Sequence, residues 1–308
     1  MSKKCLVLGG DGFLGSHLVE DLLKKGYRVK VFGRFQNRKT RNLPPNAGKI
    51  ELVSGDFLDP PDLKKVLTNI DYVFHFISST NPNSKINFYE EIRLNVLPTI
   101  KLLDICVRKK VKRIIFPSSG GSIYGSYPKG YASEEDPLKP ISPHALGKLF
   151  VEQLLYYYFV QFQLDYVVYR ISNAYGERQN IAKGQGVIPT IIIKALNGKT
   201  IKIYGNSIRD YIYVSDVTSF ISDNFYKKHK YKIYNLGSGK GVSLFDLINV
   251  LGKQTGLTIN IEKFQRRSFD VGRIILNTKR INEEFGFFPK TSLMEGIRKT
   301  YKGLKIRI

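Results

Sequence analysis

The sequence predicts an α/β fold: a Rossmann-type doubly wound parallel sheet with a smaller, interleaved C-terminal α/β substrate lobe. Three observations predict it. Short apolar runs alternate with helical patterns up to about residue 170, a glycine-rich loop joins the first such pair, and the alternation becomes less regular after Asn173. Repeated strand–helix units are typical of a parallel sheet with helices on both faces.

The elements of the first half follow from apolar spacing and turn residues. Leu6-Val7-Leu8 is a short apolar strand, and residues 16–25 carry apolar side chains at helical spacing before Gly26, which ends the helix. The same patterns predict strands at 28–32, 50–53, 72–77, 114–116 and 166–169, and helices at 61–67, 91–108 and 143–161.

Two domains are expected from the change in pattern. We expect residues 1–172 to form a Rossmann domain, to which part of 206–240 returns, and residues 173–308 to form mainly the smaller lobe. A chain of 308 residues is long enough for two such lobes.

Composition sets limits on the class of protein. The hydrophobic fraction of 42% is that of a globular protein. No apolar run approaches the roughly 18 residues that span a bilayer, and a secretory leader pattern is missing at the N-terminus. The two cysteines, Cys5 and Cys106, lie in apolar segments. They predict buried thiols in a reducing cytoplasm, with no disulfide and no metal site.

The net charge is unusual. Forty-nine Lys and Arg against 26 Asp and Glu give a formal charge of +23, which attracts anions. The basic residues are dispersed and never form a block of five or six like charges. We therefore expect a lysine-rich surface with some basic residues near an anionic substrate, and no nucleic-acid partner. The alternative is a non-catalytic dinucleotide-binding protein that uses this surface for RNA or partner binding.

The glycine loop carries the first functional motif. Gly9, Gly12 and Gly15, with Phe13 and Leu14 between the last two, lie between the first strand and the first helix. Glycine permits the tight turn, the approach of the pyrophosphate to the backbone, and close packing of helix on strand. The loop predicts a dinucleotide at the helix N-terminus.

The end of the second strand leaves the choice of dinucleotide open. An acidic residue there usually holds the ribose 2′-hydroxyl, but this chain has Gly33-Arg34. A carboxylate that would repel a 2′-phosphate is missing, and Arg34 could pair with one. NAD is the expected cofactor, and NADP stays open.

Several ordered motifs resemble the extended short-chain dehydrogenase/reductase family, of the nucleotide-sugar epimerase and dehydratase type. Besides the glycine loop, the likeness rests on Gly55-Asp56-Phe57, on the strand Phe74-His75-Phe76-Ile77-Ser78, on Asn95 with Thr99, and on Ser118 to Gly125. It continues through Arg170 to Gly176, Arg209 to Asp216, Asn235-Leu236-Gly237 and Arg267 to Val271. The resemblance implies that residues 1–172 are an NAD(P)-binding domain and that residues 173–308 are mainly a nucleotide-sugar-binding lobe. It also implies cofactor contacts from the residues Asp56, Phe57, Phe76, Ile77, Ser78 and Asn95.

The catalytic positions depart from the family pattern. The Tyr-x-x-x-Lys pair of the family stands here as His144 and Lys148, one helical turn apart on one face. The resemblance implies that Lys148 also holds the nicotinamide ribose. A neutral imidazole, with a reference pKa near ~6.5, can take the proton that the family's Tyr takes. The competing interpretation is a decayed site in which His144 only packs.

A second departure concerns the serine or threonine of the family's active site. Four residues before Tyr124 this chain has Gly120, with Ser119 and Ser122 beside it. Ser122 lies two residues before Tyr124 and so on the same side of an extended strand, which makes it the first substitute. Tyr124 is expected to lie near the nicotinamide and to contact the substrate.

The reaction and substrate follow from the resemblance. The acidic pair of the 4,6-dehydratases is replaced by Gly120-Gly121, which disfavours dehydration. Hydride removal at a ring carbon, C4 by family analogy, remains, as a 4-epimerase or a 4-dehydrogenase in surface polysaccharide or glycoconjugate synthesis. Asn173, Arg209 and Arg267 are expected to bind the diphosphate of a nucleotide-activated sugar. The sequence does not distinguish the base, the sugar, or epimerase from dehydrogenase.

The helix at 143–161 predicts a homodimer. Its apolar side chains surround the helix more widely than one buried stripe requires. Members of the resembling family often pair through this helix and the one at 91–108.

Overall fold

The structure is a computed structural model that describes residues 3–35, 42–43, 50–80, 87–181, 186–266 and 270–305. Strands and helices alternate through the first half. They are β1 (Lys4–Leu8), α1 (Phe13–Lys24), β2 (Arg28–Gly33), β3 (Ile50–Ser54), α2 (Pro60–Val66), β4 (Tyr72–His75), α3 (Phe88–Glu91), α4 (Leu97–Arg108), β5 (Arg113–Ser119), α5 (Pro143–Phe162) and β6 (Tyr166–Ile171).

The second half mixes shorter strands with helices. These are β7 (Asn173–Tyr175), α6 (Val187–Leu196), β8 (Ile201–Tyr204), β9 (Ile208–Tyr213), α7 (Val214–Asn224), β10 (Ile233–Leu236), β11 (Gly241–Ser243), α8 (Leu244–Thr255), β12 (Ile261–Phe264), β13 (Arg273–Ile274), α9 (Lys279–Phe285) and α10 (Leu293–Lys305).

A seven-stranded sheet carries the strand order β10-β6-β5-β4-β1-β2-β3. The pairings of β1 with β2 and with β4 are parallel, so that Leu6 lies opposite both Lys30 and Val73. After β3 the chain crosses to β4 on the other side of β1, and this reversal is the point where α/β sheets bind ligands at the carboxyl ends of their strands. The predicted fold class is confirmed.

Burial explains why the strands form where they do. Cys5 to Leu8 of β1 are fully buried, as is every residue of β6. Strands covered on both faces by helices read as continuous apolar runs, which is the pattern seen in the sequence. Both cysteines are free and buried, as predicted.

Two predicted elements differ from the structure. The helix expected at 91–108 is divided into α3, a π-helical turn at Ile92–Val96, and α4. Pro98, at the start of α4, has no N–H to donate to the preceding turn, which disfavours one continuous α-helix. The strand expected at 72–77 ends at His75, because the amide of Phe76 bonds back to the carbonyl of Phe74 at 3.1 Å and bends the chain.

The chain divides into two compact units, each made of several segments. One comprises residues 1–118, 143–169 and 218–233, and the other 119–142, 170–217 and 234–308. In the second unit, β9 pairs with β7, β11 and β13, and β8 pairs with β12 in a separate ribbon. Among the described residues, none of the helices is long and apolar enough to cross a membrane.

Candidate active site

The glycine loop leaves room only for backbone. Gly9 has a φ of +76°, and its amide donates to the carbonyl of Phe32 at 3.1 Å. The amide of Gly12 donates to the carbonyl of Gly9 at 2.9 Å, and a Cβ atom on Gly15 would lie 2.3 Å from that same oxygen. Since a side chain at Gly15 cannot be accommodated, β1 and α1 approach as closely as a pyrophosphate loop requires.

The N-terminus of α1 fits an anionic ligand. The helix begins at Phe13 after Gly12, without a side-chain cap and without an acidic residue in its first turn. Among the described residues no side chain caps the first amides of α1, so they can bind a phosphate, and the helix dipole favours negative charge there. Phe13 packs edge-on against the ring of His17, and Leu14 is half-buried. The loop thus fits the pyrophosphate of a dinucleotide.

The residues predicted to surround the adenosine lie at the ends of neighbouring strands. Arg34 is exposed directly after β2, and the amide of Gly55 bonds to the carbonyl of Gly33 at 3.1 Å. Asp56 accepts the amide of Leu58 at 2.9 Å through Oδ1. Phe57 is buried. Their contacts with a cofactor stay predictions.

The segment after β4 packs directly on the glycine loop. A Cβ atom on Gly9 would lie 2.9 Å from the backbone of Ile77, and the amide of Phe76 bonds to the carbonyl of Leu8 at 3.1 Å. Ser78 donates its hydroxyl to the carbonyl of Thr80 at 2.9 Å. Three of the predicted cofactor residues therefore line one loop beside the glycines.

His144 and Lys148 lie in the first turns of α5, on one face as predicted. The ammonium of Lys148 donates to the carbonyl of Pro117 at 2.9 Å and lies 4.5 Å from the centre of the Phe116 ring. Nδ1 of His144 lies 3.1 Å from the hydroxyl of Thr80, and the His144 side chain is only 9% exposed. Within the described part of the chain, the imidazole of His144 has this one hydrogen-bond partner.

Burial dominates the electrostatics of this pair. Burial, with a smaller effect from the positive charge of Lys148, lowers the pKa of His144 to about 3. Burial also lowers the pKa of Lys148 to about 8, against the opposing effect of the carboxylates Glu91 and Glu152. His144 is therefore uncharged at neutral pH, which a residue that accepts a proton requires.

Glu91 and Thr80, which the sequence analysis did not identify, complete this part of the site together with the predicted Asn95. Asn95 donates through Nδ2 to Oε1 of Glu91 at 3.0 Å and to the hydroxyl of Thr80 at 3.3 Å. Glu91 is 2% exposed, and a Cβ atom on Gly147 would lie 2.3 Å from its Oε1. The chain Glu91–Asn95–Thr80–His144 thus links a buried carboxylate to the imidazole. Glu91 stands four residues before Asn95, a spacing that was visible in the sequence.

In the second unit, Ser119 and Ser122 form a pair. The hydroxyl of Ser122 donates to that of Ser119 at 2.8 Å. The expectation that Ser122 and Tyr124 share one side of an extended strand was wrong. β5 ends at Ser119, and the amide of Ile123 bonds back to the carbonyl of Ser119 at 3.1 Å, so the chain turns.

Gly120 occupies a position with no room for the family's serine. A Cβ atom there would lie 2.6 Å from Leu276 and 2.9 Å from the carbonyl oxygen of Arg170. Tyr124 is 1% exposed, and its hydroxyl donates to Asn235 at 2.8 Å and accepts from Arg170 at 2.9 Å. The hydroxyl of Tyr124 therefore has a structural role, and its predicted contact with substrate stays untested.

The predicted diphosphate residues lie in the second unit. Asn173 donates through Nδ2 to the carbonyl of Asp210 at 3.0 Å. The guanidinium of Arg209 donates to the backbone carbonyls of Ile208 and Val271, and burial lowers its pKa. A partly buried cation held by neutral carbonyls favours an anionic ligand. Arg267 lies outside the described residues.

Comparison with known proteins defines the class. The sequence profile of the NAD dependent epimerase/dehydratase family matches residues 5–237. A putative UDP-glucose 4-epimerase of Methanocaldococcus jannaschii is 32% identical over 304 residues, which cover 97% of this chain and 98% of that protein.

Two solved structures are similar over nearly the whole chain. The UDP-glucose 4-epimerase of Thermotoga maritima, crystallised with UDP-glucose, has a TM-score of 0.91 at 30% identity, with 99% of each chain covered. The UDP-glucuronic acid 4-epimerase of Bacillus cereus, in complex with UDP-glucuronic acid and NAD, has a TM-score of 0.91 at 26% identity, covering 99% of this chain and 100% of that one.

The chain belongs to the NAD dependent epimerase/dehydratase family. The family match, with relatives that are named as UDP-glucose 4-epimerases, confirms the predicted extended short-chain dehydrogenase/reductase family, the NAD-dependent enzyme class, the general function and the cofactor. The non-catalytic alternative is not favoured.

Proposed function

We propose that this enzyme is a 4-epimerase of a UDP-activated sugar. The observation that carries the proposal is the buried, uncharged His144 one helical turn before Lys148, with Nδ1 bonded to Thr80. The UDP moiety is inferred from three of the similar proteins, which are named for UDP-sugars and cover nearly all of this chain.

Different residues of the chain have different roles in the proposed reaction. The glycine loop and the N-terminus of α1 hold the dinucleotide, which when bound supplies a hydride acceptor. Nε2 of His144 takes the proton from the C4 hydroxyl of the sugar and later returns it. Lys148 holds the nicotinamide ribose, and burial together with the positive charge of Lys148 keeps His144 neutral in the resting enzyme. Asn173, Arg209 and Arg267 hold the diphosphate, so that the sugar can turn while it stays bound.

The bound dinucleotide would accept the hydride, and the imidazole of His144 would gain a positive charge when it takes the proton of the hydroxyl. The neighbouring carboxylates Glu91 and Glu152 act on the same pocket through their effect on Lys148. Burial and the positive charge of Lys148 both oppose a charge on the imidazole of His144, so His144 holds the proton only transiently.

The experiment follows the conversion of UDP-glucose and, separately, of UDP-galactose by anion-exchange chromatography with NAD present. An epimerase brings both to the same mixture. Accumulation of NADH in step with a keto sugar would show a 4-dehydrogenase instead, and no conversion of either sugar would contradict a UDP-hexose substrate. His144→Phe is expected to lower kcat by about 100-fold or more. Unchanged turnover in this variant would exclude His144 as the base.

The second proposal is a homodimer formed through α5. Its outward side chains include Tyr156, Tyr157, Val160 and Phe162, which are 57%, 52%, 46% and 49% exposed. So many large apolar side chains on one helix favour burial against a second copy.

The cytoplasmic location, the lack of a nucleic-acid partner and the role in surface polysaccharide synthesis stay predictions.

Sedimentation equilibrium tests the dimer. The wild-type protein is expected to sediment at twice the 35.2 kDa of one chain, and Tyr156→Asp to shift it towards the monomer. Phe288→Asp is the matched control, because Phe288 is 66% exposed and lies in the other unit. A monomeric wild-type protein would contradict the proposal.

A further inference from the structure

The amino ends of the parallel strands form an edge of the first unit that lies opposite the glycine loop. The chain enters β2 and β5 at this edge, directly after the C-termini of α1 and α4. Arg113, the first residue of β5, donates to the backbone carbonyls of Phe225 and Lys227 at 2.8 and 2.6 Å, so the segment after α7 lies there too. Three turns therefore meet at one surface, the amino edge, made of residues 25–28, 108–113 and 225–230.

Positive charge is concentrated on the amino edge. Its three turns contain ten Lys and Arg in 16 residues and neither Asp nor Glu, whereas the whole chain has 49 Lys and Arg in 308 residues. Three carboxylates beside the edge are each paired with a basic side chain, Asp71 with Lys112, Asp165 with Arg113 and Asp223 with Lys25. Further basic side chains are exposed on the edge, at Arg28, Arg108, Lys109, Lys110, Lys227 and Lys228. The charge of this edge is therefore strongly positive.

The helix ends explain only part of this charge. A helix dipole favours a basic residue in the last turn, where α1 has Lys24 and α4 has Arg108. The effect of the dipole falls off within that turn. α7 ends at Asn224, and Lys227 and Lys228 follow outside it. Cations that no helix end requires repel one another, and an anionic partner would relieve that repulsion.

The kind of anion follows from the side chains of the amino edge. Seven of its ten cations are lysines, which attract anions as point charges and lack the fixed fork with which arginine recognises one phosphate. Tyr226 is 38% exposed among them, with the ammonium of Lys3 at 4.1 Å from the centre of its ring. A tyrosine ring with a polar tip is typical of the boundary between lipid headgroups and acyl chains. This combination fits a lipid surface better than a nucleic acid.

We propose that the amino edge binds the surface of an anionic bilayer, with Tyr226 at the boundary of headgroups and acyl chains. Each Lys or Arg near such a surface contributes about fivefold to the binding constant. The attraction extends over about one Debye length, near 10 Å at about 0.1 M salt. Lys148, which bonds to the carbonyl of Pro117 near the carboxyl end of β5, lies at the other end of the strands. The bound enzyme thus keeps the cofactor side of the first unit away from the lipid.

Sedimentation with lipid vesicles tests the proposal. The protein is expected to sediment with vesicles of phosphatidylcholine mixed with phosphatidylglycerol, and to stay in solution with phosphatidylcholine alone. Salt at about 1 M, where the Debye length falls to about 3 Å, should release it. Equal binding to both kinds of vesicle, or no binding to either, would overturn the proposal.

A pair of triple variants separates the amino edge from the net charge of the chain. Three lysines of the edge are replaced together, as Lys109→Gln, Lys227→Gln and Lys228→Gln, which should weaken binding to the anionic vesicles about 100-fold. The matched control removes the same charge from exposed lysines of the other unit, as Lys199→Gln, Lys253→Gln and Lys290→Gln. Its affinity should stay within about threefold of the wild type. An equal loss in both would show that the net charge binds the vesicles, and would overturn the proposal.

Fluorescence reports whether Tyr226 reaches the lipid. The chain has no tryptophan, so Tyr226→Trp places a single one on the amino edge. Its emission is expected to move to shorter wavelength with anionic vesicles, and lipids brominated near the headgroup should quench it. Binding to the vesicles with neither change would overturn the proposed position of Tyr226.

A single-stranded RNA is the competing partner for the amino edge. Its binding is measured by gel shift with the wild type and with the triple variant of the edge. The proposal expects the triple variant to lose its binding to vesicles. Loss of RNA binding with unchanged binding to vesicles would assign the amino edge to nucleic acid, and would overturn the proposal.

Discussion

Acid sensitivity is expected to arise from two buried histidines of the first unit. Burial lowers the pKa of both His75 and His144 to about 3, from a reference of 6.5. Between these values the unfolded chain binds protons that the folded protein does not. The free energy of unfolding must therefore fall as the pH drops below about 6.5, and it is retained above that value.

The loss in free energy of unfolding follows from the lowered pKa values of His75 and His144. At pH 5 an unfolded imidazole is already protonated, whereas the buried ones remain neutral. Each pH unit below the unfolded pKa costs about 1.4 kcal/mol for each histidine, so each contributes a loss of about 2 kcal/mol between pH 7 and pH 5. The two together give about 4 kcal/mol, a large part of the stability of an ordinary domain.

Urea unfolding at pH 7 and pH 5, followed by far-UV circular dichroism, measures this loss. His144→Phe should lose about 2 kcal/mol less than the wild type between the two values. Each variant is compared with itself at the other pH, so any packing defect that the new side chain introduces cancels. The reasoning is refuted if His144→Phe and the wild type lose the same free energy over this interval.

Three further predictions concern single positions. Gly15→Ala would place a Cβ atom 2.3 Å from the Gly9 carbonyl and should weaken NAD binding by about tenfold or more, measured by calorimetry. Arg34→Asp should lower the affinity for NADP at least tenfold relative to that for NAD, at about 1.4 kcal/mol per factor of ten, and an unchanged ratio would show that Arg34 faces solvent in the complex. Gly120→Ser restores the residue type of the family but should destabilise the protein by about 1–3 kcal/mol, since its Cβ atom would lie 2.6 Å from Leu276. Thermal unfolding and an activity assay measure the effect. A variant that is more active and equally stable would contradict this prediction.

Much of the fold could be predicted because the local patterns agree with the tertiary structure. Cys5 to Leu8 of β1 are all apolar because both faces of the strand are covered there, and Gly26 ends α1 with a φ of +77°. The helix predicted at 91–108 is not one continuous α-helix in the structure. Pro98 was visible in the sequence, but the π-helical turn before it depends on packing that a periodicity of apolar residues does not contain.

The site was predictable only where motifs are local. His144 and Lys148 share a face because they are four residues apart, and the Glu91–Asn95 pair has the same spacing. Thr80 and His144 are separated by 64 positions, and a single threonine in a loop gives no sign of its partner. The turn that begins at Ser119 was missed because the glycines after it read as part of a strand end.

The interleaving of the two units has a consequence for synthesis on the ribosome. The amide of Val168 in β6 bonds to the carbonyl of Lys232 at 2.8 Å, so the edge of β6 is covered by a segment made more than sixty residues later. Because the ribosome adds about 5–20 residues per second, β6 is synthesised several seconds before the segment that covers its edge. An unpaired edge of this kind is a template for association with other chains. The nascent protein is therefore most prone to aggregate after β6 has emerged and before Lys232 follows, and a chaperone that shields it in that interval would raise its yield.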